Sequence, residues 1–321
     1  MTTATMKTKP RRRWLQFSLR TMMVLVLICS IPCGWLAYRV KLAREQRVAV
    51  GAIERLGCRV DFKPASEISL RTSASWLGRL LGEEVAVAVT FVRIQAEDTD
   101  VAMAHLEKLT QLDRLCLDDY VTDAGLVHVE NLILLRKLTL GKQTTDAGLK
   151  HLKGLTELQS LDLYRTQVTG TGLVHLGRLS QLQILDLSSS RVSDAGLGCI
   201  TGLTQLVELS LGNTRVSDVG LKHVGALTQL RTLDLSKTRI TDAGLEHLRE
   251  LAQLQTLVLW CTGVTNSGLK HLKCLPQLKE LLLFRTEVTD AGVAELQMAL
   301  PNVKVLYDNE AVSDQVQAAD R

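Results

Sequence analysis

The sequence repeats itself over most of its length, and this periodicity constrains the fold more than any other feature. From residue 89 onward a template of the form LxxLxLxxTxVTDAGLxHLxxLxx recurs. Successive copies lie 23 residues apart three times and 24 residues apart five times, before a last step of 25. The first template position falls at Val89, Leu112, Leu135, Leu158, Leu182, Leu206, Leu230, Leu254 and Leu278, with a final strand restarting at Val303. A period of this length predicts stacked structural units.

Each copy contains one strand-like and one helix-like pattern. Leucines alternate with a polar residue in segments such as residues 161–163 (LDL), as expected for a strand with one buried face. Later in each copy the leucines follow helical spacing, as at residues 245, 248 and 251. One strand and one helix cannot close a core alone, whereas stacked copies bury their leucines continuously. We therefore predict an α/β solenoid over residues 89–308.

Two further template positions are nearly invariant. A Ser/Thr–Asp pair, as at Thr241 and Asp242, or a relative of it begins each predicted helix, and we expect its hydroxyl to accept a free N–H of the first helical turn. The copy with Thr169 and Gly170 lacks the acid, so the weakest cap is expected there. A small residue two positions later lets neighbouring helices approach closely, and the residues there are Ala102, Gly125, Gly148, Gly172, Gly196, Gly220, Gly244, Gly268 and Gly292.

The N-terminal region differs from the repeats in composition. Residues 21–38 (TMMVLVLICSIPCGWLAY) carry no charge and would span about 27 Å as a helix, so we predict a single uncleaved transmembrane helix. A cleaved signal peptide and a helix buried within protein are the alternatives. Around this segment we expect a basic arm at residues 1–20, a charged juxtamembrane helix at 39–57, an N-terminal cap of the solenoid at 58–88 and a loose tail at 309–321.

Basic residues are concentrated near the predicted span. Six precede it and four follow it closely, which favours a cytoplasmic N-terminus and a repeat domain outside the cytoplasm. The first 47 residues carry ten basic residues and one acid, a surplus of nine, so the remainder has a net charge of 4 − 9 = −5. A mildly acidic body argues against a nucleic-acid partner. The seven cysteines show no paired spacing, so neither a disulfide framework nor a zinc site is predicted.

The repeats resemble the leucine-rich-repeat family, and specifically its ribonuclease-inhibitor-like branch, over residues 89 to about 306. The resemblance implies a curved solenoid with a parallel sheet on its concave face and helices outside. Where the family usually has Asn or Cys after the strand, this chain has Thr166, Ser190, Thr214, Thr238, Thr262 and Thr286, so we expect a hydroxyl column in place of the amide ladder. The motif RRRWLQFSLRT, the short span, residues 76–82 and the TDAGL repeats together resemble bacterial membrane-anchored leucine-rich-repeat proteins of unassigned function.

The ionisable residues of the repeats suggest little chemistry. Histidine recurs at one template position, at His105, His128, His151, His175, His223, His247 and His271. Helices of adjacent turns lie roughly 10 Å apart, too far for two of these imidazoles to share a zinc ion. Asp162, Asp186 and Asp234 should face the concave surface, where carboxylates on adjacent strands about 4.8 Å apart would suit acid–base work, calcium or a polar binding stripe. We predict no enzyme, no metal or other cofactor and no small-molecule substrate.

The last two full repeats depart from the polar concave pattern. The preceding repeat offers Asp234 and Ser236, whereas these two place apolar side chains at the same positions: Val258, Trp260, Leu282 and Phe284. Such a group suggests a binding patch, because aromatic anchors often dominate interface energy. We expect Arg285 and Tyr164 to extend it. The alternative is that the C-terminal tail folds back over these residues as a cap.

These features predict a membrane-anchored interaction module. Its concave sheet would bind a protein or, as a less favoured choice, a glycan, through the apolar patch and the polar stripe of Asp162, Asp186 and Asp234. The alternative function is that of a structural envelope or scaffold protein, which would work by lateral assembly without a discrete ligand.

Overall fold

The computed structural model describes residues 44–63, 88–95 and 99–308, together with residues 30, 34, 37, 38, 41 and 42. The predicted arm at 1–20, most of the predicted span at 21–38, part of the predicted cap and the tail at 309–321 lie outside the described residues. Among the residues that are described, no helix has both the length and the apolar character needed to cross a membrane.

Strands from every repeat join a single sheet in the described part of the chain. They are β1 (Arg59–Lys63), β2 (Ala88–Ile94), β3 (Arg114–Leu117), β4 (Lys137–Thr139), β5 (Ser160–Asp162), β6 (Ile184–Asp186), β7 (Glu208–Ser210), β8 (Thr232–Asp234), β9 (Thr256–Val258), β10 (Glu280–Leu282) and β11 (Lys304–Leu306). They are ordered as in the sequence, and all neighbours from β2 onward are parallel. Template leucines pair with each other, as Leu161 does with Leu185, which confirms the predicted α/β solenoid.

Each described turn of chain returns through a short helical segment on the buried side of the sheet. The α-helices of these turns are Thr99–Leu106, Asp146–Leu149, Asp194–Leu197, Asp218–Val224, Asp242–Leu245, Asn266–Leu272 and Asp290–Ala299. Segments of 3₁₀-helix are Gly125–Val129, Lys150–Leu152, Gly172–Leu176, Gly198–Ile200 and Glu246–Leu248. Strand and helix leucines are fully buried together, as Leu233 and Leu245 are, so the core runs continuously from turn to turn.

The first turn of the solenoid is covered on its outer side. Residues 44–55 form a helix whose Ala49, Val50 and Ile53 join the leucine core. Gly57 then adopts φ 79°, a left-handed conformation that suits glycine, and the chain enters β1. Strand β1 runs antiparallel to β2 and so covers what would be the open edge of the parallel sheet.

The Ser/Thr–Asp pairs mainly form hydrogen bonds between neighbouring turns, and only some of them cap a helix. The predicted caps form at Thr145 and Thr265, but the prediction is wrong at Ser193, Ser217, Thr241 and Thr289, whose side chains accept no cap bond. At Ser217 and Thr241 the hydroxyl instead faces the acid of the preceding turn, and at Thr289 it faces the amide of Asn266. At Ser217 the Oγ–H donates to Asp194 Oδ2 at 2.6 Å and the backbone N–H donates to Oδ1 at 2.7 Å.

We call this series of contacts the aspartate ladder. Five aspartates accept both the hydroxyl and the backbone N–H of the Ser or Thr of the following turn: Asp123, Asp146, Asp194, Asp218 and Asp242. In the sixth place Asn266 accepts the Thr289 N–H and donates its own amide N–H to the Thr289 hydroxyl. The ladder also explains the invariant glycine, because a Cβ at Gly244 would lie 2.3 Å from Asp218 Oδ1. At Gly170 the acid is missing, and a Cβ at Gly196 would instead lie 2.4 Å from the Cα of Gly170.

The hydroxyl column stabilises each turn from within. The hydroxyl of Thr238 donates to the carbonyl of Leu235 at 2.5 Å, and the other members of the column make the same bond three residues back. The expected replacement for an amide ladder is therefore present, but its bonds lie inside one turn and do not join neighbouring turns.

Candidate functional site

The sheet exposes one face, which we call the open face. It consists of the side chains that alternate with buried leucines along the strands and just beyond them. Its middle column, read from β3 to β11, is Cys116, Thr139, Asp162, Asp186, Ser210, Asp234, Val258, Leu282 and Leu306. Two residues further along the chain a second column ends with Ser236, Trp260, Phe284 and Asp308. The middle column is apolar from Val258 onward, and the second column is apolar at Trp260 and Phe284 before it ends in Asp308.

The four apolar residues predicted for this face lie side by side. Val258 pairs with Leu282 across β9 and β10, and Trp260 and Phe284 follow on the same two chains. All four side chains keep an intermediate exposure. Leu306 on β11 pairs with Leu282 and extends the group, so we define the apolar patch as Val258, Trp260, Leu282, Phe284 and Leu306.

The repeat pattern did not predict Leu306 as part of the patch, because the last strand begins one residue earlier than the template places it. Val303 is buried and its N–H donates to the carbonyl of Leu300, as the N–H of Leu278 does to Leu275. Only one residue separates Val303 from Val305, which pairs with Leu281. In the template two residues separate these positions, and continuing it from Val303 would turn Leu306 inward. Because one residue is missing before β11, Leu306 lies on the open face instead.

Two cations lie against the tryptophan of the apolar patch. The Lys237 ammonium is 4.4 Å from the centroid of the Trp260 ring, and the Arg285 guanidinium carbon is 5.9 Å from it. Both residues adopt a left-handed backbone, with φ 53° and 56°. Arg285 therefore lies beside the patch, and its part in binding a partner stays a prediction. Lys237 is a neighbour that the predicted site did not include.

Tyr164 does not extend the patch, and that prediction is wrong. It follows β5, four strands away from β9, which corresponds to roughly 19 Å at the usual strand spacing. The residue is 45% exposed, and the Arg165 guanidinium carbon lies over its ring, 5.2 Å from the centroid. Tyr164 is thus an isolated aromatic side chain on the polar part of the open face.

The three aspartates of the open face bind their own backbone. Oδ1 of Asp162, Asp186 and Asp234 accepts the N–H two residues later, at 2.8–2.9 Å. Asp162 and Asp186 also pair across β5 and β6. Burial raises the pKa of Asp162, the Tyr164 N–H opposes this, and the charge of Asp186 raises it further. Asp234 lies two strands beyond Asp186, so the structure brings together a pair rather than a triad.

The histidine column makes contacts between turns. His128 Nδ1 lies 2.7 Å from Glu107, and His151 Nδ1 lies 2.6 Å from Glu130. Within the described ranges, no three His, Cys, Asp or Glu side chains are placed to hold a metal ion.

Comparisons with known proteins concern the repeat region. A search of curated proteins gives no significant match. A leucine-rich-repeat protein of Leptospira interrogans is 18% identical with a TM-score of 0.49, and the alignment covers 63% of this chain and 56% of that protein. Two internalins of Listeria monocytogenes are 24% and 16% identical, with TM-scores of 0.43 and 0.36. Their alignments cover 68% and 78% of this chain, and 81% and 98% of theirs.

A family description, leucine-rich repeat region, matches residues 92–306, which is more than half of the 321 residues. The matched range begins in β2 and ends at the last residue of β11, so it coincides with the parallel sheet. The chain belongs to the leucine-rich-repeat family.

Proposed function

We propose that this protein is a membrane-anchored module that binds a protein partner through the apolar patch. Residues 21–38 would form the anchor, residues 1–20 would lie in the cytoplasm and the solenoid would lie outside it. Solenoids of this family present extended sheet surfaces suited to protein–protein interaction.

The proposal rests on the change from polar to apolar side chains along the open face. Asp162, Asp186 and Asp234 occupy the middle column of earlier turns, whereas Val258, Leu282 and Leu306 occupy its last three positions. Tryptophan and arginine are frequent energetic centres of protein interfaces, and cations are attracted to the face of an indole ring. A continuous apolar group on a polar face favours a partner over a solvated surface.

A comparison of variants in the full-length protein tests the interface. We expect Trp260→Ala/Phe284→Ala to lose a partner that the native protein retains after extraction from membranes. Tyr164→Ala is the matched control, because it removes an exposed aromatic ring from the polar part of the same face. Equal recovery of the partner by all three proteins would remove the patch from the interface. Recovery of a second copy of the chain alone would favour lateral assembly.

Protease accessibility tests the orientation. We expect protease added to intact spheroplasts to digest the solenoid while leaving the N-terminal arm protected. Digestion of the solenoid only after the inner membrane has been breached would reverse the proposed orientation.

A further inference from the structure

A recess lies where the N-terminal helix meets the first repeat. It separates the helix of residues 44–55 from the end of the helix Thr99–Leu106, and its volume is about 310 Å³. Its lining residues are Arg44, Glu45, Val48, Ala49, His105 and Lys108. The recess therefore joins two segments that are far apart in sequence at the end of the solenoid nearest the predicted membrane span.

The side chains that line the recess carry an excess of positive charge around a largely apolar surface. Arg44 and Lys108 are exposed, and within the described residues neither forms an ion pair. The acid in the lining, Glu45, lies 3.9 Å from the Lys41 ammonium. Val48 adds an apolar side chain that is 69% exposed. Cations beside an exposed apolar group suit an amphiphilic anion better than free phosphate.

The recess also lies at the height of lipid headgroups if residues 21–38 cross the bilayer. The described residues from 37 to 55 are all helical. Arg44 follows Tyr38, the last residue of the predicted span, by six residues, and six residues would correspond to about 9 Å of rise in a helix. The polar zone of each leaflet is roughly 5–8 Å thick. The long side chain of Arg44 can therefore reach back into this zone while its backbone stays outside it.

We propose that this recess binds the phosphate headgroup of an anionic phospholipid, with Arg44 and Lys108 as the phosphate ligands and Val48 against the lipid's apolar part. The proposal rests on the membrane anchorage proposed above. One bound headgroup would join the N-terminal helix to the first repeat and would hold that flank of the solenoid against the bilayer.

Lipid retention by the full-length protein tests the site. The protein is extracted from vesicles of equal phosphatidylglycerol and phosphatidylcholine, and native mass spectrometry counts the lipids that remain bound. We expect native protein to prefer phosphatidylglycerol, and Arg44→Gln/Lys108→Gln to lose about fivefold in that preference for each cation removed. Lys150→Gln/Lys222→Gln, which neutralises two exposed lysines of later turns, is the matched control and should behave as native.

The possible outcomes distinguish failure of the headgroup site from failure of the membrane anchor. Carbonate-resistant membrane association of all three proteins, with the same lipid preference in each, would overturn the headgroup site and leave the anchor intact. Loss of membrane association by the native protein itself would instead overturn the anchorage. Inorganic phosphate binding that requires Arg44 and Lys108, with equal retention of both lipids, would show a site for a free anion and would also overturn the lipid assignment.

Discussion

The aspartate ladder and the open face run along the same solenoid but differ in how strictly they repeat. The ladder keeps one chemistry through most turns, since Asp or Asn accepts from Ser or Thr and a glycine leaves room for the acceptor. The open face changes from Asp162 to Ser210 to Leu282 within one column. Substitution in the ladder lowers stability because the ladder joins neighbouring turns. Side chains of the open face do not join turns, so they can vary and can bind a partner.

The largest expected effect lies in the ladder. Asp146→Ala removes the acceptor of two hydroxyls and two backbone N–H groups of the next turn, from Thr169, Thr171 and Gly172. Hydrogen bonds to charged groups contribute about 1.5–3 kcal/mol each, so we expect a loss of about 3 kcal/mol in urea unfolding at pH 7. Asp146→Asn is the matched control, because Asn266 holds the same place in a later turn. An alanine variant as stable as the asparagine variant would contradict a structural role for the ladder.

The same aspartate should make stability depend on pH. Burial opposes its ionisation, but the hydrogen bonds from Thr169, Thr171 and Gly172 outweigh burial and hold the pKa of Asp146 below its usual value. Its contribution is therefore complete above the ordinary aspartate pKa and is lost as the pH falls through the lowered value. Asp146→Asn should flatten this acid limb of the unfolding curve, and an unchanged limb would contradict the assignment.

A smaller effect is expected at the left-handed residues that follow the strands. Ser189 adopts φ 57°, and a left-handed backbone costs a residue with a Cβ roughly 1–2 kcal/mol. We expect Ser189→Gly to raise the free energy of unfolding by about 1 kcal/mol. Ser188→Gly, one residue earlier with no positive φ, should lower it by about 0.5–1 kcal/mol. Equal effects of the two substitutions would show that backbone conformation is not the cause.

The smallest expected effect concerns the paired aspartates of the open face. Like charges opposite each other on neighbouring strands cost roughly 0.2–1 kcal/mol, so Asp162→Asn should stabilise the protein by that amount at pH 7. Because the pKa of Asp162 is raised, the gain should shrink as the pH falls below the raised value. Asp234→Asn is the control, since the register neighbours of Asp234 are Ser210 and Val258. A gain at both sites would rule out charge pairing as its source.

The period of the sequence was sufficient to predict the sheet register and the buried leucines, because both depend on spacing alone. It could not predict the aspartate ladder, since the partners of Asp194 belong to the following turn and appear only when turns are stacked. Leu306 was missed because a one-residue shortening before β11 exchanges the two faces. The separation of Tyr164 from the patch could have been obtained by counting repeats, since the patch begins four turns further along the chain.

Site-specific photocrosslinking in living cells tests the central claim most directly, namely that the variable end of the open face is the surface that meets a partner. A photoreactive phenylalanine analogue replaces Trp260 in one full-length protein and Tyr164 in another. The account predicts a discrete protein adduct from position 260 and none from position 164. An adduct of equal yield from both positions, or from position 164 alone, would contradict it.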